Sequence, residues 1–236
     1  MNEEQPSFDL VRLRSLRVPW ERIRRVSSCG RAKFRRTVPR GHLVTFEGID
    51  GSGKSTACRA LVESLAKRGL PVRARVEPTR SWLGEAVRRG FREDVAPWSE
   101  ALLFMADHAT HVAEVKRELA EGALVLSDRW SDSTFAYQGA VLDAFDLLQQ
   151  MEKPFDLKPD LTLLFDLDPK LAMQRVNARA ESREKFEREE FLAKVRQNYL
   201  RLAKAEPKRF VVLDASRPAE VVIAEAVAAI DARITS

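Results

Sequence analysis

The sequence contains only two cysteines, Cys29 and Cys58, too few for a disulfide framework. It holds no uninterrupted apolar run of about 18 residues, so no membrane-spanning helix is expected. No apolar stretch near the start fits the core of a secretory signal. These absences leave a soluble globular protein in a reducing cytoplasm as the expected class. Beyond residue 40 there is no internal repeat and no low-complexity tract, which argues against a solenoid.

An excess of one charge sign is also missing from most of the chain. The net charge is +5 and the pI about 9.4, values that suggest a nucleic-acid partner. Residues 1–40, however, hold 11 of the 40 Lys and Arg and 4 of the 35 Asp and Glu, a net of +7. The remaining 29 basic and 31 acidic residues leave 41–236 at −2. The basic character belongs to the first segment, so nucleic acid is not the expected partner of the domain. Three readings of that segment stay open. It is a disordered extension or upstream sequence from a misplaced start, a basic arm for nucleic acid or acidic lipid, or an organelle transit peptide. Pro19 and the lack of a sustained period argue against a long helix there. The domain boundary is placed near Arg40-Gly41.

What is present after the boundary alternates between strand and helix patterns. "HLVTFEG", "VRARVEP", "ALVLSD", "LTLLFDLD" and "RFVVLDA" read as five strands. Helical spacing is found over 54–68, 81–90, 99–121, 169–180, 187–205 and 218–233. This order predicts an α/β fold: a five-stranded, mostly parallel sheet with helices on both faces. Ligands of such folds bind beyond the carboxyl ends of the strands.

The first strand runs into Gly48-Ile49-Asp50-Gly51-Ser52-Gly53-Lys54-Ser55, which satisfies the phosphate-loop pattern G-x-x-x-x-G-K-[ST] with a helix behind it. The glycines let successive N–H groups converge, and the helix adds its positive end. The ATP-binding set is therefore Gly48 to Thr56. Lys54 would bridge the β- and γ-phosphates, and the Ser55 hydroxyl would ligate Mg²⁺.

The ordered motifs "FEGIDGSGKST", "EPTR", "LLFMADH", "SDRWSDSTFAYQG", "PDLTLLFDLDP" and "VVLDAS" resemble the thymidylate kinases over 41–236. That resemblance implies a three-layer P-loop NTPase fold with a short lid at about 177–187. It implies a homodimer and transfer of the γ-phosphoryl group of ATP to dTMP, with Mg²⁺, in dTTP biosynthesis. It also implies residue roles. Arg129 and Arg80 hold the dTMP phosphate, and Asp128 reaches Mg²⁺ through water. Asp50 accepts from the 3′-hydroxyl of the sugar. Phe104 stacks on thymine, Thr134 bonds the base, Tyr137 occupies the place of a ribose 2′-hydroxyl, and Gln138 lies close by. His108 stands where bacterial relatives usually carry an arginine, and its imidazole is the candidate to donate to thymine O4. In the lid run "RVNARAESREKFE", Arg175, Arg179, Arg183 and Lys185 are candidates to reach the transferring group, Arg179 and Arg183 above all. Ser52 fills the position where some relatives have a loop arginine, so the catalytic cation should come from the lid. With Lys54, Asp50 and Arg129, these arginines make up the catalytic set. Asp107, His108 and His111 also suggest a metal site, although a solvated or partly packed helix face is the expected reading. Two rival functions remain: a kinase of another or several pyrimidine monophosphates, and a non-catalytic nucleotide-binding module anchored by the basic segment.

Overall fold

The computed structural model describes residues 40–175 and 182–234, with backbone alone for 182–187. Apart from Arg40, the basic segment lies outside the described residues. So does the lid region expected at 177–187, except for the backbone of 182–187.

The elements in chain order are β1 (His42–Glu47), α1 (Lys54–Lys67), β2 (Val72–Val76), α2 (Trp82–Glu93) and α3 (Pro97–Ala120). Next come β3 (Leu124–Asp128), α4 (Ser131–Leu142), α5 (Phe145–Glu152) and β4 (Leu161–Asp166). The last are α6 (Pro169–Arg175), α7 (Ser182–Ala205), β5 (Phe210–Asp214) and α8 (Ala219–Ile234). The sheet order is β2-β3-β1-β4-β5, and every pairing is parallel. Leu43 to Glu47 of β1 and Leu161 to Phe165 of β4 are buried throughout. Such runs need helices on both faces, because a half-exposed strand would alternate apolar with polar residues. Since all strands are parallel, the connections after β1, β2, β3, β4 and β5 gather at one end of the sheet, where the site forms.

Two helices go beyond the sequence expectation. The apolar periodicity gives no sign of α4 or α5. Every residue from Ser131 to Ala136 is buried, so α4 lacks the polar stripe that reveals a surface helix. The start of α4 is fixed by a buried ion pair. Arg209, just before β5, places Nη1 2.5 Å and Nη2 3.0 Å from the two carboxylate oxygens of Asp132. Removing one partner of such a pair leaves an uncompensated charge, so α4 has little freedom to shift. This helix carries Ser133, Tyr137 and Gln138 to the site.

Candidate active site

The turn after β1 is built around a close approach. A side chain on Gly48 would put its Cβ 2.6 Å from the Phe165 carbonyl oxygen of β4, and φ there is +143°. Only glycine fits that position. Gly53 caps α1 at φ +88° without any side-chain hydrogen bond, so the first N–H groups of the helix stay available. Ile49 turns into the core, leaving its backbone to the loop. The Ser52 hydroxyl is buried beneath Gly48 and has no partner among the described residues. The loop therefore presents backbone amides and one cation. That cation, Lys54, is buried, and its Nζ lies 3.5 Å from Asp50 Oδ1. Burial first, and then the nearby Arg129 charge, pull the Lys54 ammonium down to about 8. An amine held this far below its usual range is poised to gain from an arriving polyanion.

Ser55 at the start of α1 and Asp128 at the end of β3 line one groove of about 710 Å³. Asp128 Oδ1 is buried with no hydrogen-bond partner among the described residues. A hydroxyl beside an orphaned carboxylate oxygen fits a hydrated divalent cation. Arg80 is exposed and stands on the wall of this groove, apart from the cavity that holds Phe104 and Arg129.

Arg129 adopts φ +75°, a conformation side chains rarely take. Its N–H donates to the Phe46 carbonyl at 3.0 Å, and its own carbonyl accepts from the Ser127 hydroxyl at 2.8 Å. These bonds turn the side chain toward the phosphate loop. Nη2 reaches Asp50 Oδ1 at 2.5 Å, Nη1 donates to Ser133 Oγ at 3.1 Å, and the guanidinium lies 4.9 Å over the Tyr137 ring. The Tyr137 hydroxyl accepts from the Asp50 N–H at 3.0 Å. Burial pushes the Asp50 carboxyl up, but Arg129 and Lys54 outweigh it and hold the acid below its usual range. Beside this cluster opens a cavity of about 390 Å³ lined by Asp50, Arg129, Tyr137, Gln138, Glu100 and Phe104, among others. The Phe104 ring packs on Phe91 with centroids 5.8 Å apart. The chain thus brings an anion-binding loop and a second arginine grip to one mouth, with room for a second ligand.

Beneath Arg129 lies Glu47, whose role the motif reading does not reach. Its Oε1 accepts from the Trp130 N–H at 2.7 Å, and Oε2 accepts from Ser133 at 2.6 Å and Tyr199 at 2.9 Å. Burial, reinforced by Asp132, pushes its carboxyl up to about 8. A lone acid closing an apolar strand was the available signal.

Two expectations are corrected. His108 does not face the cavity. It is buried, with Nδ1 2.8 Å from Glu77 Oε1 and Nε2 3.1 Å from Asp156 Oδ1, edge-on to Trp130. Both ring nitrogens face carboxylates, so the ring is held protonated against the opposing effect of burial, and it has no free edge for a base. Thr134 is buried in α4 and forms no part of the cavity wall. Of the two forms expected for the Asp107, His108, His111 face, solvated or packed, the packed one is found: all three side chains are buried. Asp107 accepts from the Thr79 N–H at 2.7 Å, the Thr79 hydroxyl at 2.5 Å and the Ser81 hydroxyl at 3.1 Å. His111 Nδ1 lies 2.8 Å from Glu77 Oε1. This face of α3 braces the "EPTR" connection. Among the described residues, no group of three such side chains is arranged to hold a metal.

At the lid, Arg179 and the side chains of Arg183 and Lys185 lie outside the described residues. Arg175 donates to the Ala215 carbonyl at 3.0 Å, tying α6 to the connection after β5. Arg188, a position the motif reading does not single out, is near enough for its charge to help hold Asp50 ionised.

Comparison with known proteins adds the following. The family model described as Thymidylate kinase matches residues 46–226. A probable thymidylate kinase of Methanococcoides burtonii is 43% identical over 203 residues, covering 84% of this chain and all of that protein. One from Methanosarcina mazei is 46% identical over 191 residues, 78% of this chain and 92% of the relative. One from Natronomonas pharaonis is 42% identical over 196 residues, 80% of this chain and 97% of the relative.

Proposed function

The chain belongs to the thymidylate kinase family, and from that membership we propose how its own residues carry the reaction in which the γ-phosphoryl group of ATP passes to dTMP, giving dTDP and ADP. The phosphate loop from Gly48 to Thr56 binds the ATP phosphates through backbone N–H groups, and Lys54 bridges the β- and γ-phosphates. Arg129 exchanges its bond to Asp50 for the dTMP phosphate, where a planar fork matches two oxygens. Asp50, released from Arg129, accepts from the 3′-hydroxyl of the sugar. Phe104 stacks on the base, and Tyr137 fills the space a 2′-hydroxyl would need. Direct in-line transfer follows, since the chain's contribution is to align two polyanions and neutralise their charge.

Ser55 and Asp128 would hold Mg²⁺, which supplies charge neutralisation on the transferring phosphates when bound. Arg80, on the same groove wall, adds a cation for phosphate oxygens. Lid cations from about 177–187 close over ATP. The domain spans 41–236 and follows a basic extension of residues 1–40. The enzyme acts as a homodimer in the cytoplasm, a reading compatible with the finding that no described helix is long and apolar enough to cross a membrane.

One observation carries this reading: the Arg129 guanidinium points at the mouth of the phosphate loop, and a cavity sized for a nucleotide opens beside it. The test is a coupled ADP-release assay with dTMP, dUMP, dCMP and UMP. Turnover should be highest on dTMP, and Arg129→Ala should lose acceptor binding while ATP affinity persists. Equal kcat/KM for dTMP and dCMP would remove the acceptor assignment.

A further inference from the structure

With His108 and Thr134 off the cavity wall, Gln138 and Glu100 are polar side chains that line the cavity together with Phe104. Glu100 lies four residues before Phe104 on α3, so the two share a helix face. Gln138 comes from α4 and is buried. Its Nε2 donates to Glu100 Oε1 at 3.0 Å.

A glutamine amide has a donor end and an acceptor end, and the two are nearly the same shape. What it reads depends on which end faces the ligand. A carboxylate only accepts, so Glu100 admits one orientation, with the amide NH₂ toward α3. Gln138 Oε1 then faces away from Glu100, in a side chain that lines the cavity. Resting on the dTMP reading above, we propose that Glu100 is a positioning residue that locks Gln138 Oε1 as an acceptor for the N3–H of thymine. Cytosine presents a lone pair at N3 and would meet that oxygen with repulsion. Uracil shares the N3–H, so the device separates cytosine from thymine and leaves uracil to be sorted by contacts with the methyl group.

The test compares kcat/KM for dTMP, dUMP and dCMP in the full-length enzyme and in E100Q and E100D. In E100Q the neighbour both donates and accepts, and the Gln138 amide is free to invert. The dTMP to dCMP ratio should then fall by about tenfold or more. The dCMP value should rise in absolute terms, which a folding defect cannot produce, while dTMP and dUMP fall together. E100D keeps an acceptor-only group and should retain most of the wild-type ratio. An E100Q ratio equal to wild type, or an equal loss on all three acceptors, overturns the proposal. A wild-type enzyme indifferent between dTMP and dCMP overturns the acceptor assignment itself, a separate failure visible before any variant is made.

Discussion

Arg129 Nη2 and Asp50 Oδ1 lie 2.5 Å apart although 79 residues separate them in the chain. One belongs to the connection after β3 and the other to the phosphate loop after β1, so the pair closes the gap between the two halves of the site. Arg129→Lys tests what the planar fork contributes. A single ammonium cannot serve Asp50 and Ser133 together and then grip two phosphate oxygens. We expect KM for dTMP to rise by about 10- to 100-fold, the range of one or more lost charge-assisted hydrogen bonds. ATP affinity by calorimetry should change little.

His108 is a strut between Glu77 and Asp156, and its removal should be felt in stability before specificity. His108→Ala takes their shared partner from two carboxylates, leaving Glu77 with His111 and Asp156 with the Leu157 N–H, so the cost should stay at or below the about 3–5 kcal/mol of a fully broken buried pair. Thermal and urea unfolding measure that loss. The dTMP to dCMP selectivity of the fraction that remains folded should stay at the wild-type value. A collapse of selectivity would put His108 back among the base readers.

Glu152 sets a pH dependence. It is fully buried, neither carboxyl oxygen has a partner among the described residues, and burial pushes its carboxyl up to about 8. Between its ordinary value of 4.5 and about 8, the folded protein keeps a proton that the unfolded chain has released. This group's contribution to stability therefore falls as pH rises through that window. Glu152→Gln keeps the shape and removes the titration. The variant should gain on wild type as pH climbs from about 5 to 8, measured by unfolding at several pH values.

Arg188 contributes charge at Asp50 from α7, next to the segment expected to close over ATP. If that charge also stabilises the transferring phosphoryl group, Arg188→Ala should lower kcat by about tenfold or more, with a smaller effect on KM for dTMP. Single-turnover kinetics separate this from slowed product release. An unchanged chemical step would limit Arg188 to a role in holding Asp50 ionised.

Some of this was open to reading from the chain alone. The central strands were legible because buried parallel strands are nearly continuous apolar runs punctuated by glycine and acid, and the edge strand β2 because it alternates as Val-Arg-Ala-Arg-Val. The phosphate loop was legible because its function needs particular residues at fixed spacing. The α4 helix was hidden, since burial on all sides erases the period by which helices are recognised. The fate of His108 was hidden for a different reason. Its neighbours Glu77 and Asp156 stand 31 and 48 residues away, and only the fold brings them to the two sides of the ring. Glu100 was silent too, because its importance comes from what Gln138 does with it.

The last residues of β1 anchor both halves of the site. The Phe46 carbonyl holds the backbone of Arg129, Glu47 holds Trp130 and Ser133, and Gly48 starts the phosphate loop. The spacing between donor and acceptor is thus machined into one short stretch of main chain. A change at Glu47 should detune both substrates at once, like bending the common jaw of a vice.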